Sequence, residues 1–254
     1  GVQCCPIASA VLTNQTGFEH FKCTDLTSMI PDYIEVWQKN GAHFDGIYSG
    51  YMTGPKQIEL FMDFLDAFYE GNTLLLVDPV MGDDGRTYGM YTNELLDMMK
   101  ILSRKADIIT PNLTEACLLA DYDIKDVYKD TRKETLLPLA TEVAEKLRSL
   151  SGKDQDVIIT GIKCKDDKAP FIYNLVTTAN GTTTHRSHFF DISFSGTGDL
   201  FASVVCGSRL NGFSTEESVQ RAGKFIYDSI ADTMNDDAVP NDGVNFEKFL
   251  HELM

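Results

Sequence analysis

Short runs of Val, Ile, Leu and aromatic residues recur along the chain at residues 8–12, 44–48, 73–78, 107–110 and 156–160. A strand needs only a few residues to cross a core, so runs of this length read as strands. Between them, at 26–39, 55–69, 92–104, 113–120 and 132–150, apolar residues return every three or four positions, the spacing of one helix face. Pro55 suits a first helical position, where a missing N–H costs nothing. This alternation predicts right-handed crossovers and a parallel sheet covered on both faces. Ligands then belong at the carboxyl ends of the strands.

Beyond residue 160 the rhythm changes. Residues 170–178 and 182–190 predict two antiparallel strands joined across Ala179-Asn180-Gly181, because an Asn-Gly turn favours a hairpin. A glycine-bearing turn at 194–199 leads into a helix from 200 to about 210, and further helices are expected at 215–234 and 245–253. The polar stretch 236–243 is expected as a loop. The sum is an α/β fold with a mainly parallel central sheet and an antiparallel hairpin towards the C-terminal half.

With 254 residues and 43% hydrophobic content spread along the whole length, the chain can bury one sizeable core, so residues 1–254 read as a single domain. The opening GVQCCPIASAVL runs into its strand as though continuing an element already begun, so an upstream segment is expected. The formal charge of −16 repels nucleic acid and anionic lipid surfaces and points to a small partner. With 22 Lys and Arg against 38 Asp and Glu, a polyphosphate ligand would need metal cations to offset the repulsion. Six cysteines, without paired metal-ligand spacing, read as buried reduced thiols. No apolar run reaches the ~18 residues needed to span a bilayer, and no charged-then-apolar leader opens the chain. The expectation is a cytoplasmic protein.

The sharpest chemical feature is Gly196-Thr197-Gly198-Asp199, placed between an extended segment and the amphipathic stretch LFASVVCGSRL. Two glycines let backbone amides approach an anion, and the helix N-terminus adds partial positive charge at the same spot. An acid beside an anion hole makes chemical sense if Asp199 accepts a proton from an attacking hydroxyl while the amides stabilise a transferring phosphoryl group. The plainer alternative is that Asp199 merely complements the helix dipole, worth ~0.3–1 kcal/mol.

Two more strand ends supply context. LLLVDPVMGDDG places Asp78 at the end of an apolar run, followed by Asp83 and Asp84, and DIITPNLTEACLL does the same with Asn112 and Glu115. Carboxylates near a phosphate site would suit magnesium, which takes oxygen ligands, often through water. Equally, Asn112 and Glu115 have the spacing of a capping box, and Asp83-Asp84-Gly85 that of an ordinary turn. The segments 13–18 and 49–54 follow the first two strands and could set hydroxyls and a ring against a flat, polar substrate, or serve only as turns. The five histidines show no catalytic or ligand spacing.

Taken in order, TNQTGF, SGYMTG, DPVMGDDG, ITPNLTEACLL and SGTGDLFASVV resemble the pyridoxal kinases of the ribokinase-like superfamily, and the likeness covers essentially the whole chain. The resemblance implies a three-layer α/β/α fold, usually a homodimer, that uses ATP with Mg2+ and often a monovalent cation such as K+. It implies that Asp199 activates the 5′-hydroxyl of pyridoxal while the amides of Gly196, Thr197 and Gly198 form the anion hole. Asp78, Asp83, Asn112 and Glu115 match positions around metal and phosphates, with Asp83 and Glu115 nearest the metal. Thr16 and Tyr51 match positions that hold the pyridine ring; Thr160, Phe190, Phe194 and Tyr91 match positions lining the nucleotide.

Two departures stand out. The family begins with a strand and a glycine-containing loop that precede the first residue here, and many relatives carry a second hydroxyl where this chain has Thr160-Gly161. The nearest rival reading is a hydroxymethylpyrimidine kinase of the same fold, although those enzymes often carry a cysteine at the position of Asp199. Sugar and nucleoside kinases commonly add a lid domain for which this chain has little room. A catalytically silent vitamer-binding protein is the alternative from another class.

Overall fold

The chain opens with a two-stranded ribbon that shares no strand pairing with the main sheet. In the computed structural model, which describes residues 1–89, 91–165, 171–190, 192–236 and 239–254, strand β1 (Ala10–Leu12) pairs antiparallel with β2 (Cys23–Asp25). The strand expected at 8–12 is therefore shorter and lies outside the parallel sheet. The reason is local: Thr13 N donates to Lys22 O and Leu26 N to Ser9 O, both at 2.9 Å, so an antiparallel partner returns before any crossover can form. Residue 170, expected to open the hairpin, and residues 237–238 of the expected loop lie outside the described residues.

A 3-10 turn (Thr27–Met29) leads into α1 (Ile30–Lys39) and then β3 (Gly46–Ser49), α2 (Pro55–Phe68) and β4 (Leu74–Val77). A small hairpin, β5 (Gly82–Asp83) with β6 (Arg86–Thr87), precedes α3 (Asn93–Lys105), β7 (Ile108–Ile109), α4 (Leu113–Leu119), α5 (Ile124–Val127) and α6 (Lys133–Ser151). Strand β8 (Asp156–Lys163) and the hairpin β9 (Phe171–Thr178) with β10 (Gly181–His188) complete the sheet. Two helices follow, α7 (Thr197–Leu210) and α8 (Thr215–Thr233). Residues Glu247–Leu253 form 3-10 turns where the spacing predicts a regular helix.

The main sheet runs in the order β10-β9-β8-β7-β4-β3, parallel from β3 to β8 and antiparallel across the final hairpin. Alternation assigns its faces. Leu75, Val77, Val157 and Ile159 enter one core with α2, α3, α4 and α6, while Leu76 and Ile158 enter a second core with α7 and α8. Leu75, Leu76 and Val77 are fully buried, worth ~1.5–3 kcal/mol each. These three layers are the ones the pattern predicts.

Helix α7 runs back along β3. A methyl group built on Gly46 would fall 2.9 Å from Leu210 Cδ1, near the helix C-terminus, and one built on Gly50 would fall 3.7 Å from Asp199 Oδ1 in its first turn. The positive end of α7 is thereby delivered to the carboxyl ends of the strands.

Candidate active site

Three neighbouring strands end in oxygen-bearing side chains. Asp78 N donates to Ser49 O at 2.8 Å and Thr110 N to Val77 O at 3.1 Å, which aligns Ser49, Asp78 and Thr110 across the tips of β3, β4 and β7. Asp78 is only 7% exposed; burial, and next the charge of Asp199, push its carboxyl up to about 7. Ser49 Oγ and Thr110 Oγ1 are buried without hydrogen-bond partners among the described residues. Thr110 Oγ1 nonetheless lies near enough to favour the ionised form of Asp78.

Asn112 and Glu115 realise the capping box. Asn112 Oδ1 accepts from Glu115 N at 3.0 Å and Glu115 Oε2 from Asn112 N at 2.9 Å. Glu115 Oε1 also accepts from Met81 N at 2.9 Å and, more weakly, from Gly82 N at 3.4 Å. Burial and the charge of Asp78 push the Glu115 carboxyl up to about 8, against the pull of these amides. Asn112 Nδ2 donates to Gly82 O at 2.7 Å, so the start of α4 grips the acidic hairpin.

In that hairpin Asp84 and Gly85 have φ of 45° and 78°, the paired positive angles of a type I′ turn. The ordinary-turn reading of Asp83-Asp84-Gly85 is thus correct as far as backbone goes. Asp84 N donates to Asp83 Oδ1 at 2.8 Å, and burial pushes the Asp83 carboxyl up. Lys163 Nζ lies 3.2 Å from both Asp84 carboxylate oxygens and 5.2 Å over the Phe189 ring. This cation tethers the hairpin to the end of β8.

Across the cleft, Gly196 adopts φ 82° at the N-cap of α7, and the amides that follow precede the first intrahelical bond, Leu200 N to Gly196 O at 3.0 Å. A Cβ built on Gly196 or Gly198 would meet nothing within 4 Å, so the turn that carries these amides is uncrowded. Thr197 Oγ1 donates to Phe194 O at 3.1 Å, and Ser195 N to Pro240 O at 3.0 Å, which fixes the turn from below and behind. Asp199 is open to solvent, while the protein mass around it pushes its carboxyl up.

The remaining expected residues divide. Thr160 bridges to Asn112 in parallel pairing, and its N donates to Pro111 O at 2.9 Å. The next residue, Gly161, takes φ 71° in a bulge and donates to Asn174 Oδ1 at 3.1 Å. Phe190 lies 5.2 Å from the Tyr227 ring, beside a groove of about 500 Å³ between β10 and α8. Phe194 is buried beneath the glycine turn at 4% exposure. Tyr91 packs against the larger core. It is Tyr88 whose hydroxyl responds to the acids, pushed up to about 12 by burial and by Asp83, Glu115, Asp78 and Asp199.

Thr16 and Tyr51 stand on the opposite side. Thr16 is exposed in the ribbon turn, where a Cβ on Gly17 would fall 2.6 Å from Asn241 Oδ1, so the ribbon leans on the segment that holds Ser195. Tyr51 is 42% exposed; burial and Cys23 raise its hydroxyl pKa.

Tyr48, Tyr88, Thr110, Lys163 and the 240–243 support are not singled out by the sequence, and Ser49 enters there only as the first residue of the 49–54 segment. Ser49 and Thr110 carried the same signal as Asp78, a polar residue closing an apolar strand. Tyr48, Tyr88 and Lys163 carried none, because only the fold brings them to the acids.

Among the described residues no group of three or more His, Cys, Asp or Glu side chains is placed to hold a metal unaided. Glu115 already receives backbone N–H groups on both oxygens. The donor set fits magnesium held mainly by phosphate oxygens and water with one or two carboxylates, and not a protein-built cage.

A family model described as phosphomethylpyrimidine kinase matches residues 2–241, and the chain belongs to that family. A Saccharomyces cerevisiae protein provisionally named a pyridoxal kinase is 30% identical over 220 residues, covering 80% of this chain and 64% of the relative. The chain thus spans less than two thirds of that relative. A crystal structure from Bacteroides thetaiotaomicron, provisionally named a phosphomethylpyrimidine kinase and in a form with pyridoxal, superposes with a TM-score of 0.87 at 35% identity, covering 100% of this chain and 86% of that one. The pyridoxal kinase of Lactobacillus plantarum shares the fold, with a TM-score of 0.82 at 23% identity over 96% of this chain and 84% of that one.

Proposed function

We propose that this chain transfers the γ-phosphoryl group of ATP to the 5′-hydroxyl of a vitamin B6 vitamer, with pyridoxal as substrate and pyridoxal 5′-phosphate as product. The observation that carries the reading is the first turn of α7, where the amides of an uncrowded turn and Asp199 meet the carboxylate-lined strand tips. Asp199 takes the proton of the attacking hydroxyl, the new O–P bond forms as the bond to ADP breaks, and the amides of Gly196, Thr197 and Gly198 hold the charge on the moving group. Asp83 and Glu115 would hold magnesium, which when bound would neutralise charge on the phosphates.

Asp78 and Asn112 order the phosphate side, and Thr160, Phe190, Phe194 and Tyr91 the nucleotide side, with the β10–α8 groove beside Phe190. Thr16 and Tyr51 hold the pyridine ring. The pyridoxal form of the Bacteroides relative supports this substrate class. A monovalent cation such as potassium suits the same oxygen-rich strand ends. We also place the enzyme in the cytoplasm as a homodimer. The thiols of Cys4, Cys5, Cys23, Cys117 and Cys206, none of them in a disulfide among the described residues, support a reducing compartment, and the exposed Val11 and Phe21 of the ribbon support a covering subunit. No described helix is long and apolar enough to cross a membrane.

The family model's own description favours a second reading, a hydroxymethylpyrimidine kinase. A coupled assay with magnesium-ATP and pyridoxal, pyridoxine, pyridoxamine or hydroxymethylpyrimidine separates the two. Highest kcat/KM on a B6 vitamer supports the proposal; preference for the pyrimidine, or vitamer binding without turnover, rejects it.

A further inference from the structure

Tyr48 faces the same side of the sheet as Gly46 and packs with Leu210 and Cys206 beneath α7. Its ring is half-buried, but its hydroxyl emerges at the strand tip. A methyl group built on Gly50 would lie 3.3 Å from Tyr48 Oη and 3.7 Å from Asp199 Oδ1, so both oxygens border one small space that the bare Gly50 Cα leaves open. No hydrogen bond engages the Tyr48 hydroxyl among the described residues. A phenol held in apolar packing with its donor unused, at the margin of a carboxylate, is an incomplete hydrogen bond.

Resting on the kinase reading above, we propose that Tyr48 is a positioning residue for Asp199. Its hydroxyl acts as the donor that holds the carboxylate in the orientation needed to receive the substrate proton, and Gly50 keeps the space between them clear. Two features support this role. Burial, followed by Asp78, Asp199 and Cys206, pushes the Tyr48 hydroxyl up, so the phenol keeps its proton and remains a donor at neutral pH. The ring is also anchored by packing, so the donor is rigid where Asp199 itself stands open to solvent.

The test uses the full-length enzyme and its magnesium-ATP assay with pyridoxal, comparing Tyr48→Phe, Gly50→Ala and the double variant. Tyr48→Phe keeps the packed ring and removes only the hydroxyl. The expected result is a fall in kcat of about 10-fold with KM for pyridoxal and for ATP within about 2-fold, since a positioning contact acts on the transition state. Gly50→Ala wedges a methyl into the shared space and is expected to lower kcat similarly. In the Tyr48→Phe background it is expected to add little, because the oxygen it crowds is gone.

Thermal melting checks that each variant is folded, and if Gly50→Ala fails to fold, Tyr48→Phe alone decides. Unchanged kcat in folded Tyr48→Phe overturns the proposal, as does a raised pyridoxal KM at constant kcat, which would make Tyr48 a substrate contact. Absence of vitamer phosphorylation by the unmodified enzyme would instead remove the kinase reading itself.

Discussion

Glu115 receives backbone N–H groups on both carboxylate oxygens and is 3% exposed, whereas Thr16 stands exposed on a ribbon that shares no strand pairing with the main sheet. The side proposed for the phosphates is fixed by the fold. The side proposed for the vitamer hangs on few attachments. Chief among them is the buried Gln57 of α2, which donates to Ser9 O at 3.1 Å and Thr27 Oγ1 at 2.9 Å and accepts from Thr53 N at 2.9 Å. An isolated two-stranded ribbon is marginal in water, so this side is the one that ligand or a partner must complete. The difference teaches that rigidity lies where charge must be compensated, and looseness where a neutral ring must enter.

The comparison breaks most sharply at Asp199. Replacing Asp199 by Ala is expected to lower kcat by about 10²-fold or more while ATP binding, followed by calorimetry, stays within a few-fold. Unchanged turnover in the folded variant would leave Asp199 a mere helix-dipole partner.

The rigid side should also show in the pH dependence of stability. Asp78 has a folded-state pKa raised to about 7, above an unfolded value of ~3.9, so the folded chain binds that proton more tightly. Its contribution is present in full below the unfolded value and is lost as pH rises through the folded one. Glu115, raised to about 8, acts in the same direction. The melting temperature of the ligand-free protein is therefore expected to fall between about pH 5 and pH 8, and magnesium-ATP should flatten the fall. A rise across that window would contradict the burial of these acids.

Removing the clamp itself tests the same side. Glu115→Ala leaves the amides of Met81, Gly82 and Asn112 without their acceptor and is expected to cost about 2 kcal/mol in urea unfolding, together with much of the turnover. On the loose side the effects should be smaller and fall on affinity. Gln57→Leu is expected to cost about 1–2 kcal/mol of stability and to raise KM for pyridoxal several-fold with KM for ATP unchanged. Thr16→Ala should leave stability within about 0.5 kcal/mol and raise pyridoxal KM only a few-fold.

How much of this was legible in the sequence follows the same division. Residues 73–78 and 156–160 announce buried strands because their central side chains all face protein, and the hairpin is legible from its glycine, although the turn residues are Ala179-Asn180 and Gly181, at φ 115°, opens the second strand opposite Thr178. Asp78, Asn112, Glu115 and Asp199 could be picked out because each closes an apolar run or opens a helix. The ribbon could not. Residues 8–12 are as apolar as a core strand, and what removes them from the sheet is a hydrogen-bonded return at Lys22, a pairing that the apolar pattern does not announce. The same holds for Tyr48 and Lys163, whose neighbours arrive from other strands. The acidic hairpin shows a third case, in which an ordinary turn and a candidate metal-side acid are the same residues.

The most direct test of the central claim is the product formed by the full-length protein from magnesium-ATP and pyridoxal, read by phosphorus NMR. The account predicts one new phosphate-ester signal, that of pyridoxal 5′-phosphate, appearing in step with ADP and almost absent when Asp199 is replaced by Ala. Inorganic phosphate with no ester, or an ester that survives the loss of Asp199, would contradict it.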